Sequence, residues 1–415
     1  MPWHLLTLVP GPLLGLFLVS LGNGFISSLT SLRLDDAGVS DIVIGFVAAS
    51  YFAGLALGAM FSDRLIARIG HIRAYSSFAS LTAVTFLLQG MFFDPWAWLV
   101  LRLVNGWAIV GIYLIVESWL LLAGDAKMRG RLLAIYMIAL YGSGMAGQMS
   151  LGALDAWGPT APFMMAGMLA SLSVLPMVIL PRVDPQMGRI EPLMPQHLLR
   201  TTPTGFIGSF GSGIAIAAIY ALLPIYLQRV GMNVAEVGHL MACVILGAML
   251  LQYPVGRWSD RQDRQSVLIV LSAACAALSL LVLVLPDSRI LLALLLFLLG
   301  GSVFAIYPVA VSHSTDRASS GELVRLIQGL LLVNSVGSAA SPLLISQVMD
   351  AAGARGFFLS FLALSVALTG FFLWRRQVHP AASPAAPFQA AAQMSPIGVE
   401  IRVTQELAQA ATERE

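Results

Sequence analysis

The sequence predicts an all-α membrane protein: 12 transmembrane helices in two pseudo-symmetric six-helix bundles. Three observations carry this. The 415 residues are 58% hydrophobic and 11% charged, against roughly 25% charged in soluble proteins. Apolar runs of about 20 residues, enough to cross ~30 Å of hydrocarbon, recur twelve times. The second half of the chain also repeats landmarks of the first at a nearly constant offset.

The runs lie near 8–32, 42–62, 74–93, 96–122, 131–152, 161–181, 204–227, 236–256, 266–286, 289–313, 322–346 and 355–375. The first has no lysine or arginine leader and eleven more follow, so it reads as a retained helix and not a signal peptide. Spans one to six make an N-terminal bundle, 1–181. Residues 182–203 hold Pro185, Pro192, Pro195 and Pro203 with three arginines. Proline density breaks helices, so this stretch reads as a cytoplasmic linker. Spans seven to twelve make a C-terminal bundle, 204–376. The tail, 377–415, is rich in alanine and proline and reads as mostly disordered, with a short helix near 400–413.

The basic residues orient the spans. Eighteen of the 23 fall on one side, in the even-to-odd loops, the linker and the tail. Arg33, Arg229, Arg289 and Arg355 fall on the other, and Arg102 lies within a span. Basic loops stay cytoplasmic, so both termini are expected inside.

The repeat is specific in its landmarks. Gly38, Gly45, Gly54 and Arg68 match Gly231, Gly238, Gly247 and Arg261 at 193 residues. Gly106, Tyr113 and Ser118 match Gly300, Tyr307 and Ser312 at 194. Gly142, Ser143, Asp155 and Gly158 match Gly337, Ser338, Asp350 and Gly353 at 195. Two parallel six-helix halves are a transporter plan, with the substrate site between them near the midplane.

Enzyme readings fall away on composition. The one lysine, Lys127, precedes Met128, so no Gly-Lys-Ser/Thr phosphate loop is encoded. Cys243 and Cys275 sit in apolar runs without metal-ligand spacing. Ser143 and Ser212 each precede glycine, but Tyr141 and Phe210 hold the upstream glycine position of an intramembrane protease. A net charge of +2 gives no basic excess for nucleic acid. No enzyme, cofactor or metal is expected.

The loop between spans eight and nine reads Gly256, Asp260, Arg261, then Asp263 and Arg264. It resembles the Gly-x-x-x-Asp-Arg-x-Gly-Arg-Arg signature of the major facilitator superfamily, with Asp263 where glycine is usual. The loop between spans two and three keeps Arg68 and Gly70, with Asp63 on the glycine position. The resemblance covers residues 1–376 and implies a 12-helix transporter of a bacterial inner membrane, multi-pass and monomeric. Asp260 at a helix end can face arginines or the positive N-terminus of a helix in the other half. Span five, after Arg129 and Arg131, is the candidate partner. Such a latch of Asp63, Arg68, Gly256, Asp260, Arg261, Arg129 and Arg131 would favour the outward-open state; the alternative is a set of solvated loop charges.

Span four carries the informative polar groups. Arg102, Asn105, Gly106, Tyr113 and Glu117 fall within an arc of about 120° at 100° per residue. A charge at the bilayer centre costs ~2.5–3.5 kcal/mol even on lenient scales, so this face should meet water or protein. Arg102-x-x-Asn105-Gly106 also resembles the superfamily's span-four motif, which is associated with proton-coupled members. Arg102 could bind an anionic or zwitterionic substrate, or snorkel to the outer interface. Glu117 lies 15 residues on, roughly 22 Å along the helix, and could carry protons or pair with Arg129 or Arg131. His313 could titrate near neutral pH or sit at the interface. Gln148 and Tyr220 join the pathway candidates, with Tyr141, Asn23 and Ser27 as weaker ones.

The expected function is a secondary active transporter moving a small anionic or zwitterionic metabolite by alternating access, coupled to protons. Its expected partners are that small molecule, protons and the lipid bilayer, with no nucleic acid. The alternative is proton-driven efflux of lipophilic drugs. Many such antiporters carry Gly-Pro-x-x-Gly-Gly, whereas span five reads Gly142-Ser143-Gly144-Met145-Ala146-Gly147.

Overall fold

The computed structural model describes residues 9–123, 126–179, 195–285, 288–316 and 323–378, with the backbone alone at 121–123, 126–130, 195 and 324. Most of the linker, 182–194, and the tail from 379 onward lie outside the described residues.

Among the described residues the chain is helical throughout, without strands. This follows from the solvent: in hydrocarbon every backbone N–H and C=O must be satisfied within its own segment. The first half comprises α1 Pro10–Asp36, α2 Asp41–Ile69, α3 His71–Met91, α4 Pro95–Ala123, α5 Ala126–Asp155, α6 Ala161–Leu172 and α7 Val174–Val178. A short helix, α8 Pro195–Thr201, precedes α9 Pro203–Ala221 and α10 Leu223–Arg229. Then come α11 Val234–Ser259, α12 Arg264–Val284, α13 Arg289–Thr315, α14 Leu323–Ala352 and α15 Gly356–Val378. The predicted sixth span is α6 with α7, and the seventh is α9 with α10. The latter is interrupted at Leu222, where Pro224 in the first turn of α10 removes a backbone donor.

Among the described residues eleven helices are long and apolar enough to cross a membrane. The third predicted span, α3, falls outside that set; it carries Tyr75, Ser76, Ser77 and Ser80, and Thr82, Thr85 and Gln89 along one side. The last three are buried, so this polar stripe faces protein. Part of the region read as linker is helical. Pro195 and Pro203 each open a helix instead of breaking one, since the first helical position needs no N–H and suits the fixed φ of proline.

The repeat extends to backbone geometry. Gly38 and Gly231 have φ of 70° and 92°, and Gly158 and Gly353 have 126° and 66°. These are repeat-related pairs, each ending a helix in a conformation that glycine adopts without strain. Asp263 stands where the first half has Gly70 (φ 83°). Its carboxylate accepts from the N–H groups of Gln265 and Ser266 and so caps α12. A different residue thus gives the second half an equally well-formed corner.

Within each half, two helices cross at glycines. A Cβ on Gly106 would collide with the carbonyl of Tyr51, and one on Gly54 with the carbonyl of Leu103, so α2 lies directly on α4. Gly300 against Val244 and Gly247 against Phe297 repeat this between α13 and α11. Small residues permit such approach where dispersion and not hydrophobicity drives helix association.

The halves meet through α2 on α14 and α5 on α11. Their tight points lie at the end that carries few arginines. Gly45 meets Ser346 and the carbonyl of Pro342, Gly152 meets Ala235, and Gly238 meets the carbonyl of Gln148. Arg229 of the second half seals this end. Its Nη2 lies 2.6 Å from Asp35, and it also binds Asp41, both in the first half. Gln228 adds a 2.7 Å bond to Asp36. The hydrogen bonds to Asp41, and then those to Asp35, hold Arg229 well above its ordinary value, outweighing burial. A guanidinium stays charged at every pH a cell meets, so this cross-link is not lost through arginine deprotonation.

Arg229→Gln is expected to weaken this seal by about 1–2 kcal/mol, a partly exposed share of what a buried pair is worth. The readout is thiol labelling of an Ile216→Cys variant, with both native cysteines replaced, by a membrane-impermeant reagent. Faster labelling from the arginine-poor side is the expected result; an unchanged rate would assign the seal to helix packing alone.

Candidate functional site

Between the halves lies a cavity of about 80 Å³. It is lined from the first half by Ser20, Asn23, Ser27, Tyr51, Phe52, Tyr113 and Tyr141, and from the second by Ile216, Tyr220, Ile245 and Phe304. Two facing pairs, Asn23 with Ile216 and Phe52 with Ile245, are repeat-related at 193 residues, so the cavity sits on the pseudo-symmetry axis.

Its walls are mainly aromatic and aliphatic. Phe304 meets Tyr141 edge-on at 6.1 Å and Tyr220 edge-on at 6.0 Å. Polar side chains of α1, α2 and α4 bond one another in its wall, and Tyr141 of α5 and Tyr220 of α9 add hydroxyls. Asn23 Nδ2 donates to the Tyr51 hydroxyl at 3.0 Å, and Ser20 donates to the Tyr113 hydroxyl at 3.5 Å. The Asn23 carbonyl oxygen is buried and takes no hydrogen bond.

A water-sized niche of about 10 Å³ adjoins the cavity and shares Ser27, Phe52 and Tyr220 with it. Arg102 forms one wall of this niche and is 2% exposed. Nη2 donates to Ser27 at 2.7 Å and Nη1 to Asn105 Oδ1 at 3.4 Å. The guanidinium carbon stands 4.2 Å from the centre of the Tyr51 ring. Among the described residues no carboxylate pairs with Arg102. A guanidinium has five N–H donors, and Nε has no partner. Burying an ion costs several kcal/mol even after relaxation. A cation–π contact returns about 2 kcal/mol when desolvated, and each bond to a charged donor about 1.5–3 kcal/mol. Arg102 is thus solvated by protein, with charge and donor capacity left over. It sits in the interior and does not snorkel.

The other predicted residues divide. Tyr113 and Tyr220 line the cavity. Asn105 lies behind the wall, where it braces Arg102 and donates to Thr85 at 3.4 Å. Gln148 also lies behind it, and its Nε2 donates to the Gly24 carbonyl at 2.6 Å and to Ser28 at 2.8 Å, clamping α5 to α1. Glu117 and His313 are buried beyond the cavity, toward the arginine-rich end. Tyr51, Phe52, Phe304 and Ile245 were missed because an aromatic or isoleucine in an apolar run has no hydropathy signature. The repeat could have flagged Phe52 and Ile245 as a pair.

At the arginine-rich end Asp63, Arg68, Arg261 and Arg131 are exposed and Gly256 is buried. The side chain of Arg129 lies outside the described residues. Asp260 ends α11, 3.6 Å from Arg264. Arg264 is buried and reaches Asp316 at 2.9 Å and the Ser312 carbonyl at 2.5 Å. The signature loop is therefore tied into its own half through Arg264. The repeat puts His71 at the equivalent position, bonded to Ser118 at 3.2 Å, and Ser118 is the counterpart of Ser312.

The sequence profile described as Major Facilitator Superfamily matches residues 13–327 and 205–408. An uncharacterized MFS-type transporter of Yersinia pestis (strain Pestoides F) is 32% identical over 344 residues, covering 81% of this chain and 88% of that protein. The uncharacterized MFS-type transporter YcaD of Salmonella arizonae is 31% identical over 355 residues, 85% of this chain and 92% of that protein. Among solved structures, the nucleoside transporter NupG superimposes with a TM-score of 0.73 at 16% identity, over 90% of this chain and 99% of that one. A bacterial homolog of the human lysosomal transporter Spinster, inward-facing and occupied, gives 0.71 at 17% identity, over 92% and 98%.

Gln148→Ala removes two bonds between α5 and α1 and is expected to destabilise the protein by about 1 kcal/mol. Thermal unfolding in detergent should show a lowered midpoint while ligand affinity stays unchanged. A loss of affinity at an unchanged midpoint would move Gln148 into the binding site.

Proposed function

The chain belongs to the major facilitator superfamily, and we propose that it is a secondary active transporter of a small organic anion, coupled to protons and working by alternating access between its two halves. Membrane transport follows from the family. The anion rests on one observation: Arg102, buried beside the central cavity without a carboxylate partner among the described residues.

A buried cation left with unused donors is a receptor for an anion. Binding supplies the missing countercharge in a low-dielectric site, where charge-assisted bonds are roughly twice as strong as neutral ones. The guanidinium is held under Tyr51 and on Ser27, so it is oriented before ligand arrives, while the water-sized niche must open to admit a carboxylate. In a bacterial inner membrane with both termini cytoplasmic, the Arg229 seal would be the outer gate, closed here. Alternating access would break it while closing the arginine-rich end.

Proton coupling is assigned to Glu117, which is 3% exposed in α4 and lies outside the cavity. Its placement supports a carrier role because protonation would remove a buried charge during the closing of the inner end. A second reading, efflux of lipophilic compounds, draws on the apolar wall of Ile216, Ile245 and Phe304.

Arg102→Ala is expected to weaken anion binding about 10–100-fold, the worth of one or two charge-assisted bonds, at an unchanged yield of folded protein. Arg102→Lys should recover only part, because an ammonium lacks the planar fork. Unaltered anion affinity in Arg102→Ala, with binding of lipophilic cations, would favour the efflux reading. Glu117→Gln is expected to abolish uptake driven by a pH gradient in proteoliposomes while retaining substrate exchange. Full pH-driven uptake in that variant would remove Glu117 from the coupling.

A further inference from the structure

We infer that the transported anion is an aromatic monocarboxylate, its carboxylate seated in the Arg102 niche and its ring in the aromatic cavity. This rests on the anion reading above and narrows it.

The niche and the cavity are chemically distinct and share walls. The niche offers the lone cation together with Ser27. None of the residues lining the main cavity is charged. One charge is therefore recognised. A dianion or a phosphate ester would bring a second negative charge into a wall with nothing to meet it, and a zwitterion would bring an ammonium where no acid waits. Desolvating an unmatched charge costs far more than a neutral wall returns.

The cavity beyond the niche selects a flat apolar body. Tyr141, Tyr220 and Phe304 meet edge to face, and Phe304 is the shared partner of one tyrosine from each half. Tyr220 also borders the niche. A ring whose carboxylate reaches Arg102 therefore lies against Tyr220 and within reach of Phe304. Aromatic pairs in offset or edge geometry gain beyond their buried area, which an aliphatic chain of equal size does not.

The repeat reinforces the division of labour. Arg102 and Asn105 correspond at 194 residues to Leu296 and Leu299, and Asn23 corresponds at 193 to Ile216. The second half has apolar residues opposite Arg102, Asn105 and Asn23, while Ser27 corresponds to Tyr220, whose ring borders both the niche and the cavity. The charge is thus confined to the first half, and a ligand spanning the two meets it at one end only.

The test is binding to the purified full-length protein by titration calorimetry, with benzoate, hexanoate, benzamide and tetraphenylphosphonium as probes. Benzoate is expected to bind about tenfold more tightly than hexanoate, with benzamide much weaker. Phe304→Leu should erase most of the benzoate preference and leave hexanoate unchanged; Tyr220→Leu is the second such variant should the first fold poorly. Arg102→Gln should remove both carboxylates. Equal affinity for hexanoate and benzoate would overturn the aromatic inference and leave the anion reading standing. Benzamide equal to benzoate, or binding of tetraphenylphosphonium alone, would overturn both. Absence of binding by all four would overturn the inference at this ligand size.

Discussion

The contact of Gly106 with the Tyr51 carbonyl is the constraint from which the cavity follows. It brings the backbones of α2 and α4 together and so sets the Tyr51 ring over the Arg102 guanidinium, one turn away on α4. Any side chain at 106 would push the helices apart and strip the cation of its aromatic face. With that face covered, the edge of the guanidinium turns to Ser27 and the niche. Asn105, anchored on Thr85 of α3, holds the guanidinium from the opposite side. A charge that hydrocarbon would reject is kept by three helices of one half.

The second half repeats the crossing without the chemistry. Gly300 packs on the Val244 carbonyl as Gly106 does on Tyr51, but valine offers no ring and position 296 offers no charge. Duplicated architecture with unequal side chains gives two similar rigid bodies and one asymmetric binding surface. Similar bodies would suit the rocking of the proposed cycle. The asymmetry would give a ligand bound there a defined orientation.

At the arginine-poor end, ionic contacts and close helix packing both join the halves, through Arg229 and through Gly45, Gly152 and Gly238. At the other end the buried Arg264 organises its own half, linking the end of α11 to the end of α13. In the alternating access proposed above, a cross-link between halves would break in each cycle. A network inside one half can persist and keep that half rigid as it moves.

By itself the sequence determined the class of fold, the positions of the spans, the repeat and the presence of a charge in α4. Each of these is written in hydropathy, residue spacing or the cost of an ion in hydrocarbon, and those quantities are local. It also singled out Tyr113 and Tyr220, since polar aromatics on a marked helix face are conspicuous. It could not separate Gln148, a clamp behind the wall, from a wall residue, because both uses need a buried polar side chain. Nor could it say whether Arg102 snorkels to the interface or stays in the interior. Only the tertiary structure decided those points. Whether a side chain faces a cavity, a neighbour or lipid depends on the rotation of each helix about its axis, which is set by glycine contacts between residues about 50 positions apart, such as Tyr51 and Gly106. The cavity is a product of those rotations.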